Sequence, residues 1–279
     1  MTFVTRFAPS PTGYLHRGHA FSALTAHRAA LDAGGRFLLR IEDIDATRCR
    51  SEYDAAILED LTWLGLAWET PVRRQSEHLT DYHAAIDVLR ARGLVYRCFK
   101  TRKEIDIGRA PHEPAAPYVG APLPADEEDA RLGRGEAFAW RLSLAAARAA
   151  LGGFETLTFV EDGAGPDGET GVIKARPETA GDIVLARKDV GVAYHLAVVH
   201  DDALQGVTHV IRGQDLFEAA HIQRLLQALL DLPTPTYRHH GLLLGPDGKR
   251  YAKRDKAETL RELRAAGMAA EALRADLGF

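Results

Sequence analysis

Thr2 to Phe7 alternates apolar and polar positions as a short strand does, and Pro9-Ser10-Pro11-Thr12-Gly13 ends it, because proline brings no N–H to a strand ladder. From Arg17 to Leu31 the chain is rich in helix formers and stops at Gly34-Gly35, residues suited to a helix C-cap. Phe37 to Ile41 is a compact apolar strand, and a helix from Ser51 carries Ile57, Leu61 and Leu64 on one face. These elements make a βαβ unit. A helix from Thr80 to Arg92, a strand from Leu94 to Cys98 and a capping box at Thr101-Arg102-Lys103-Glu104 follow. Five prolines between Gly108 and Pro124 then interrupt the alternation, and the acidic Asp126 to Asp129 comes next. Strands are expected again at Asp182 to Ala186, Ala193 to Val199 and Val207 to Arg212. An amphipathic helix from Asp215 to Leu230 and an apolar strand from Gly241 to Leu244 complete the series.

The pattern predicts an α/β fold with a parallel sheet split by an insert. Residues 1–100 and 181–245 form its two halves, 101–180 the insert, and 246–279 a basic loop with a short helical C-terminal part. Hydrophobic residues at 46% and charged residues at 27% of 279 positions are ordinary for a folded domain, so disorder and bare coiled coil are excluded. No apolar stretch reaches the roughly 18 residues of a membrane span and no leader is visible, which makes a cytoplasmic protein without membrane contact the expectation. Two cysteines, Cys49 and Cys98, set no disulfide framework. With a net charge of -4 the surface is no general cationic grip for nucleic acid, so any RNA contact must be local. The stretch Lys249 to Arg264 suits that requirement, with seven cationic residues against three acidic ones, although a solvated basic face has the same composition.

Two segments carry candidate chemistry. His16-Arg17-Gly18-His19 falls where the first strand has turned into the first helix, so the imidazoles at i and i+3 share a face. Orphan amides and the macrodipole at a helix start favour anions, and Gly18 permits close approach, so a phosphate chain fits; two histidines about a glycine also arise by chance. A metal reading lacks a third ligand at diagnostic spacing. Lys249 to Arg254 follows the turn Gly245-Pro246-Asp247-Gly248, and a lysine on such a loop can meet a phosphate as charge develops. A His-x-Gly-His turn and a Lys-rich loop at opposite ends of one parallel α/β fold together point to an adenylate-forming site.

The run from Arg6 to His19 resembles the HIGH signature of class I glutamyl-tRNA synthetases. Arg40 to Asp45, Tyr194 to Asp202, Val210 to Asp215 and Leu242 to Arg254 are similar to that family's catalytic core, in the same order. The chain stops about where the family's helical anticodon-binding region would begin, so the likeness is to the truncated branch that glutamylates queuosine of tRNA(Asp). The resemblance implies a class I synthetase fold with a Rossmann-like sheet and an inserted acceptor-contacting region. It implies ATP bound by His16, Gly18, His19 and Lys253, with His16, His19 and Lys253 catalytic within the motifs Pro9 to His19 and Arg250 to Arg254. L-glutamate would be held by Arg6, Ala8, Ser10, Glu42, Tyr194 and Arg212, with Arg6 and Arg212 offering guanidinium forks to a carboxylate and Glu42 taking the ammonium. Mg2+ would accompany ATP, and queuosine-containing tRNA(Asp) would be the acceptor for a monomeric enzyme.

Two positions depart from the family. Arg17 stands where an apolar residue is usual, free to reach a phosphate or solvent, and Tyr251-Ala252 replaces Leu-Ser. Relatives of the truncated branch often carry a Cys-x-Cys pair, a tyrosine and a further cysteine in the insert. Here Lys100 and Pro122 replace two of those cysteines, so no metal site is expected and zinc least of all. The rival readings are a truncated glutamyl-tRNA synthetase that charges a tRNA 3′ end, and a synthetase-derived binding protein without catalysis.

Overall fold

A computed structural model describes residues 2–105, 117–187, 191–243 and 258–279. The Lys249 to Arg254 motif, Lys253 included, and the proline-rich stretch up to Ala116 lie outside the described residues. The first βαβ unit is β1 (Val4–Phe7), α1 (Arg17–Asp32) and β2 (Arg36–Ile41); α2 (Ser51–Trp63) and β3 (Glu69–Arg74) continue it. The three strands pair in parallel, in the order β1-β2-β3. β2 explains why this works. Phe37, Leu39 and Ile41 join the core beneath α1 and α2, whereas Leu38 joins the core on the opposite face, so the strand is buried on both sides as a parallel strand must be. The same alternation puts Arg40 on the Leu38 face.

After α3 (Leu79–Ala91) the chain enters β4 (Val95–Cys98) and the short α4 (Arg102–Ile105), whose capping box joins Thr101 and Glu104 as expected. α5 (Ala125–Gly133), β5 (Ala139–Leu142), α6 (Leu144–Leu151), β6 (Thr158–Glu161), β7 (Gly171–Lys174), β8 (Val184–Arg187) and β9 (Gly191–Val192) follow. β4, β5, β8 and β9 form an antiparallel sheet, so the strand expected at Asp182 to Ala186 belongs there and not to the parallel sheet. β6 and β7 form a hairpin that joins the second half of the fold.

That half comprises α7 (Tyr194–Leu204), β10 (His209–Gly213), α8 (Phe217–Leu229) and β11 (Thr236–His240), with β10, β11 and β6 parallel. β1 abuts β10 through Thr208, whose amide donates to the Val4 carbonyl at 2.9 Å. Two expectations are corrected. Ala193 to Val199 is the start of helix α7, not a strand: Leu196 to Val199 are all buried, and a short apolar run enclosed on most sides has no period that separates strand from helix. The last strand is Thr236–His240, ahead of Gly241 to Leu244; Gly241 to Leu243 is irregular and Leu244 lies outside the described residues. β11 evades an apolar reading because His239, one of its inward groups, pairs with buried polar partners.

The chain closes with α9 (Leu260–Ala265) and α10 (Ala270–Asp276), which bury Leu260, Leu263 and Leu273 in the core shared with α1 and α2. Among the described residues no helix is long and apolar enough to cross a membrane.

Candidate active site

A cavity of about 480 Å3 opens where β1, β2, β10 and β11 end. The carboxyl ends of parallel strands are where open α/β sheets gather ligand groups, because loops and helix starts converge there. Arg6, Ala8, Ser10, His16, Gly18, His19, Glu42, Tyr194 and Arg212 all line it. Leu243, just before the undescribed segment with Lys253, lines it too, and Thr259, just after, bridges to His16.

His16 is the N-cap of α1. Its Nδ1 accepts the Gly18 amide at 3.1 Å, while His19 Nδ1 accepts the His16 amide at 3.2 Å, so the imidazoles themselves form a capping box. Their ring centroids lie 3.8 Å apart. With both Nδ1 atoms accepting, a neutral ring carries its proton on Nε2. Arg17, partly exposed, turns to the C-terminal helix, 3.4 Å from Asp276 and 3.9 Å from the Met268 sulfur.

The two pocket arginines differ electrostatically. Arg6 is bound by both carboxylate oxygens of Asp202, at 3.0 and 3.3 Å, which neutralises most of its charge. Asp202 also accepts from Arg40 at 2.8 Å, and Arg40 reaches Glu42 at 3.0 Å, so Arg6, Asp202, Arg40 and Glu42 form one buried chain. Asp201 beside it accepts from Arg73, Gln75 and Tyr82. Burial raises Asp202 but Arg6 and Arg40 outweigh it and lower its pKa; burial dominates at Glu42, whose pKa rises against the pull of Arg40 and Arg6. Burial disfavours the Arg40 cation, yet Asp202, Glu42 and Asp201 together hold it firmly charged.

Arg212 by contrast sits among neutral partners. Its Nε donates to His239 Nε2 at 3.0 Å and its Nη1 to Gln223 at 2.9 Å, leaving Nη2 buried with no hydrogen-bond partner. Burial lowers the His239 pKa against the upward pull of Glu161, and burial with the Arg212 cation pushes His195 down to about 4. Tyr237, whose ring lies 5.3 Å from the guanidinium, is pushed up to about 12 by burial. Burial also raises Tyr194. Arg212 therefore keeps most of its positive charge for a ligand.

A second cavity of about 420 Å3 shares Ser10, Thr12, Glu42 and Tyr194 with the first and extends to Asp45, Arg48 and Arg187. Arg40, Asp202, Gln223, His239 and His240 received no role from the sequence. An arginine inside Phe-Leu-Leu-Arg-Ile and two aspartates closing Leu-Ala-Val-Val-His are the signals that could have marked the first two.

Among the described residues no group of three or more His, Cys, Asp or Glu is placed to hold a metal. The described side chains thus offer no cage for Mg2+, which would have to ride on the phosphates of a nucleotide. In the insert, Cys98 lies 3.8 Å from the Tyr118 hydroxyl, and Asp182 supplies the order: it accepts from Tyr96 OH, the Gly120 amide and the Leu144 amide at 2.8 to 2.9 Å. Arg141 stacks 4.5 Å from the Tyr118 ring.

Residues 2–278 match the model of the class I tRNA synthetase (E and Q) catalytic domain, and the chain belongs to that family. It is accordingly a ligase-type enzyme of a fold that uses ATP. Among its relatives, the Glutamyl-Q tRNA(Asp) synthetase of Rhodobacter capsulatus is 47% identical, over 99% of this chain and 100% of its own. The protein of the same name from Symbiobacterium thermophilum is 40% identical, over 98% and 85%. Glutamate--tRNA ligase 2 of Dinoroseobacter shibae is 41% identical over 96% of this chain but only 59% of its own. The crystal structure of a glutamate tRNA ligase from Elizabethkingia meningosepticum in complex with its amino acid superposes with a TM-score of 0.76 at 28% identity. The match covers 91% of this chain and 52% of that one.

Proposed function

We propose that the 480 Å3 cavity binds L-glutamate and ATP side by side, forms glutamyl-adenylate without tRNA, and passes the glutamyl group to queuosine in the anticodon loop of tRNA(Asp). The observation that carries this reading is the convergence of nine residues from four separate segments on one cavity, among them a histidine-capped helix start and two arginines, one paired with a carboxylate and one with neutral partners. Ala8 and Ser10 frame the amino acid, and Glu42, an anionic acceptor, takes the substrate ammonium. Arg212 takes a carboxylate with the donor it has left over, while Arg6, already paired with Asp202, adds a hydrogen-bonding wall and little net charge. Tyr194 contributes a neutral hydroxyl, because burial keeps its proton on.

ATP lies over Gly18, where the α1 amides and macrodipole meet the triphosphate, with His16 and His19 donating through Nε2. A glutamate carboxylate oxygen attacks the α-phosphorus, the bond to the β-phosphate oxygen breaks, and pyrophosphate leaves. Lys253 stabilises the charge that builds on the phosphates. A queuosine hydroxyl then attacks the adenylate carbonyl, AMP departs, and the hydroxyl proton goes to solvent. The neighbouring 420 Å3 cavity, open to Glu42 and Tyr194, gives the acceptor its way in. Magnesium, when bound to the nucleotide, supplies further charge neutralisation.

ATP–pyrophosphate exchange tests the first half. Exchange that depends on glutamate, ignores glutamine and needs no tRNA is expected; exchange only with tRNA present returns the chain to an ordinary glutamyl-tRNA synthetase. For the second half, labelled glutamate should enter tRNA(Asp) that contains queuosine, and periodate oxidation of the 3′ terminus should leave that labelling intact. Label that needs the intact 3′ end and ignores queuosine overturns the proposal. No exchange with any amino acid would favour a binding protein without catalysis.

A further inference from the structure

We propose that Glu161 and His239, neither at the cavity wall, are positioning residues for Arg212: a buried carboxylate and imidazole that fix one tautomer and so hold the guanidinium in a single orientation with its charge intact. The inference rests on the reading of Arg212 as a glutamate carboxylate ligand. Glu161 comes from β6, in the hairpin that sequence alone places in the insert, and meets β11 across 78 residues of chain. Its Oε2 lies 2.6 Å from His239 Nδ1, and a carboxylate can only accept, so Nδ1 carries the proton. His239 Nε2 is then a lone pair, and it accepts Arg212 Nε–H at 3.0 Å.

The carboxylate itself has no freedom. Its Oε1 accepts the His239 and Gly163 amides, each at 2.8 Å. Gly163 is needed for that approach, since a Cβ there would stand 2.3 Å from the His239 carbonyl oxygen. Glu161 and His239 are almost wholly buried, at 1% and 2% exposure, so water cannot substitute for either. Facing the imidazole are Glu161 and Arg212, the Phe217 ring at 5.2 Å, the stacked Tyr237 ring at 6.0 Å and the adjacent His240. A proton on Nε2 would put donor against donor at Arg212 and a second cation beside it. The arrangement thus differs from Arg6, where Asp202 orients the guanidinium at the expense of its charge. Orientation by a neutral acceptor keeps Arg212 able to tell a carboxylate from an amide.

The test uses the full chain and ATP–pyrophosphate exchange, with glutamate and ATP varied in turn. Glu161→Gln turns an amide NH2 toward Nδ1 and drives the proton to Nε2, so the glutamate KM should rise about 10-fold or more while the ATP KM stays within about 2-fold. His239→Ala should do the same. His239→Gln places a carbonyl oxygen where the Nε2 acceptor stands, without needing a tautomer, and should keep the glutamate KM within about 3-fold of wild type. The same change added to Glu161→Gln should restore most of what that variant lost, which a purely structural role would not allow. Equal rises in both KM values, or His239→Gln as damaging as His239→Ala, overturn the inference. An unchanged glutamate KM in both Glu161→Gln and His239→Ala also overturns it, and leaves the glutamate reading standing if wild type exchanges normally. Absence of glutamate-dependent exchange in wild type removes that reading and this inference with it.

Discussion

Arg6 and Arg212 are the same residue type at 4% and 5% exposure, yet they meet the site in different electrostatic surroundings because one faces a carboxylate and the other an imidazole and an amide. Single side chains therefore carry most of the chemistry. Lys253 belongs at this scale: as proposed above it stabilises charge on the phosphates, so changing it to Ala should cost about 100-fold in adenylate formation, roughly 3 kcal/mol, with smaller effects on substrate affinity. Single-turnover adenylation by Lys253→Ala at the wild-type rate would refute it. Asp60 of α2 makes a separate prediction. Both its carboxylate oxygens lack hydrogen bonds, Arg264 is 3.8 Å away, and burial pushes its pKa up to about 6. A folded-state pKa above the unfolded one means that the native protein holds an extra proton between about pH 4 and pH 6. Stability from this group is complete below that window and is lost as pH rises through it. Urea melts of Asp60→Asn should match wild type most closely near pH 4 and gain on it towards pH 7, by up to about 3 kcal/mol, since each pKa unit is worth about 1.4 kcal/mol. A difference that does not vary with pH would contradict this.

At the scale of elements, hydrogen bonds centred on Asp182 tie together the described part of the insert and the strands beside it. Asp182 collects Tyr96, Gly120 and Leu144 from three separate segments, so Asp182→Ala strands two buried donors and one part-buried donor and should destabilise by about 3 kcal/mol, read as a loss of melting temperature. Chelator treatment of protein purified without added metal should leave the melting temperature unchanged, and a fall on adding EDTA would refute order without metal. The C-terminal helices are tied to the site as well. Arg17 pairs with Asp276 of α10, and Thr259 bridges to His16, so the unusual arginine of the first signature links the start of α1 to the C-terminal helices.

For the molecule as a whole, a net charge of -4 with a local basic excess of four over Lys249 to Arg264 limits how RNA can be held. Few phosphate contacts are available, so the binding constant for tRNA(Asp) should fall with a log–log salt slope no steeper than about -4, on the scale of one counterion per contact. Filter binding between 50 and 200 mM salt measures it, and a slope near -8 would require a second, extended RNA surface.

Much of the site was legible in the sequence because its parts are local: a turn that begins a helix, a glycine that allows approach, a carboxylate at a strand end. Arg6, Ala8, Ser10, His16, Gly18, His19, Glu42, Tyr194 and Arg212 all line one cavity. The parallel βαβ start was equally legible, since Phe37 to Ile41 is apolar on both faces. Tertiary structure alone decided the rest. Ala193 to Val199 is a helix because its neighbours enclose it, and β8 pairs antiparallel because β5 offers it an edge. Asp202 neutralises Arg6 across 196 positions, and Glu161 sets the tautomer of His239 across 78. Residue type and short spacing are written along the chain, but charge state, tautomer and sheet partner depend on what lies within a few ångströms after folding, and those neighbours are distant in sequence.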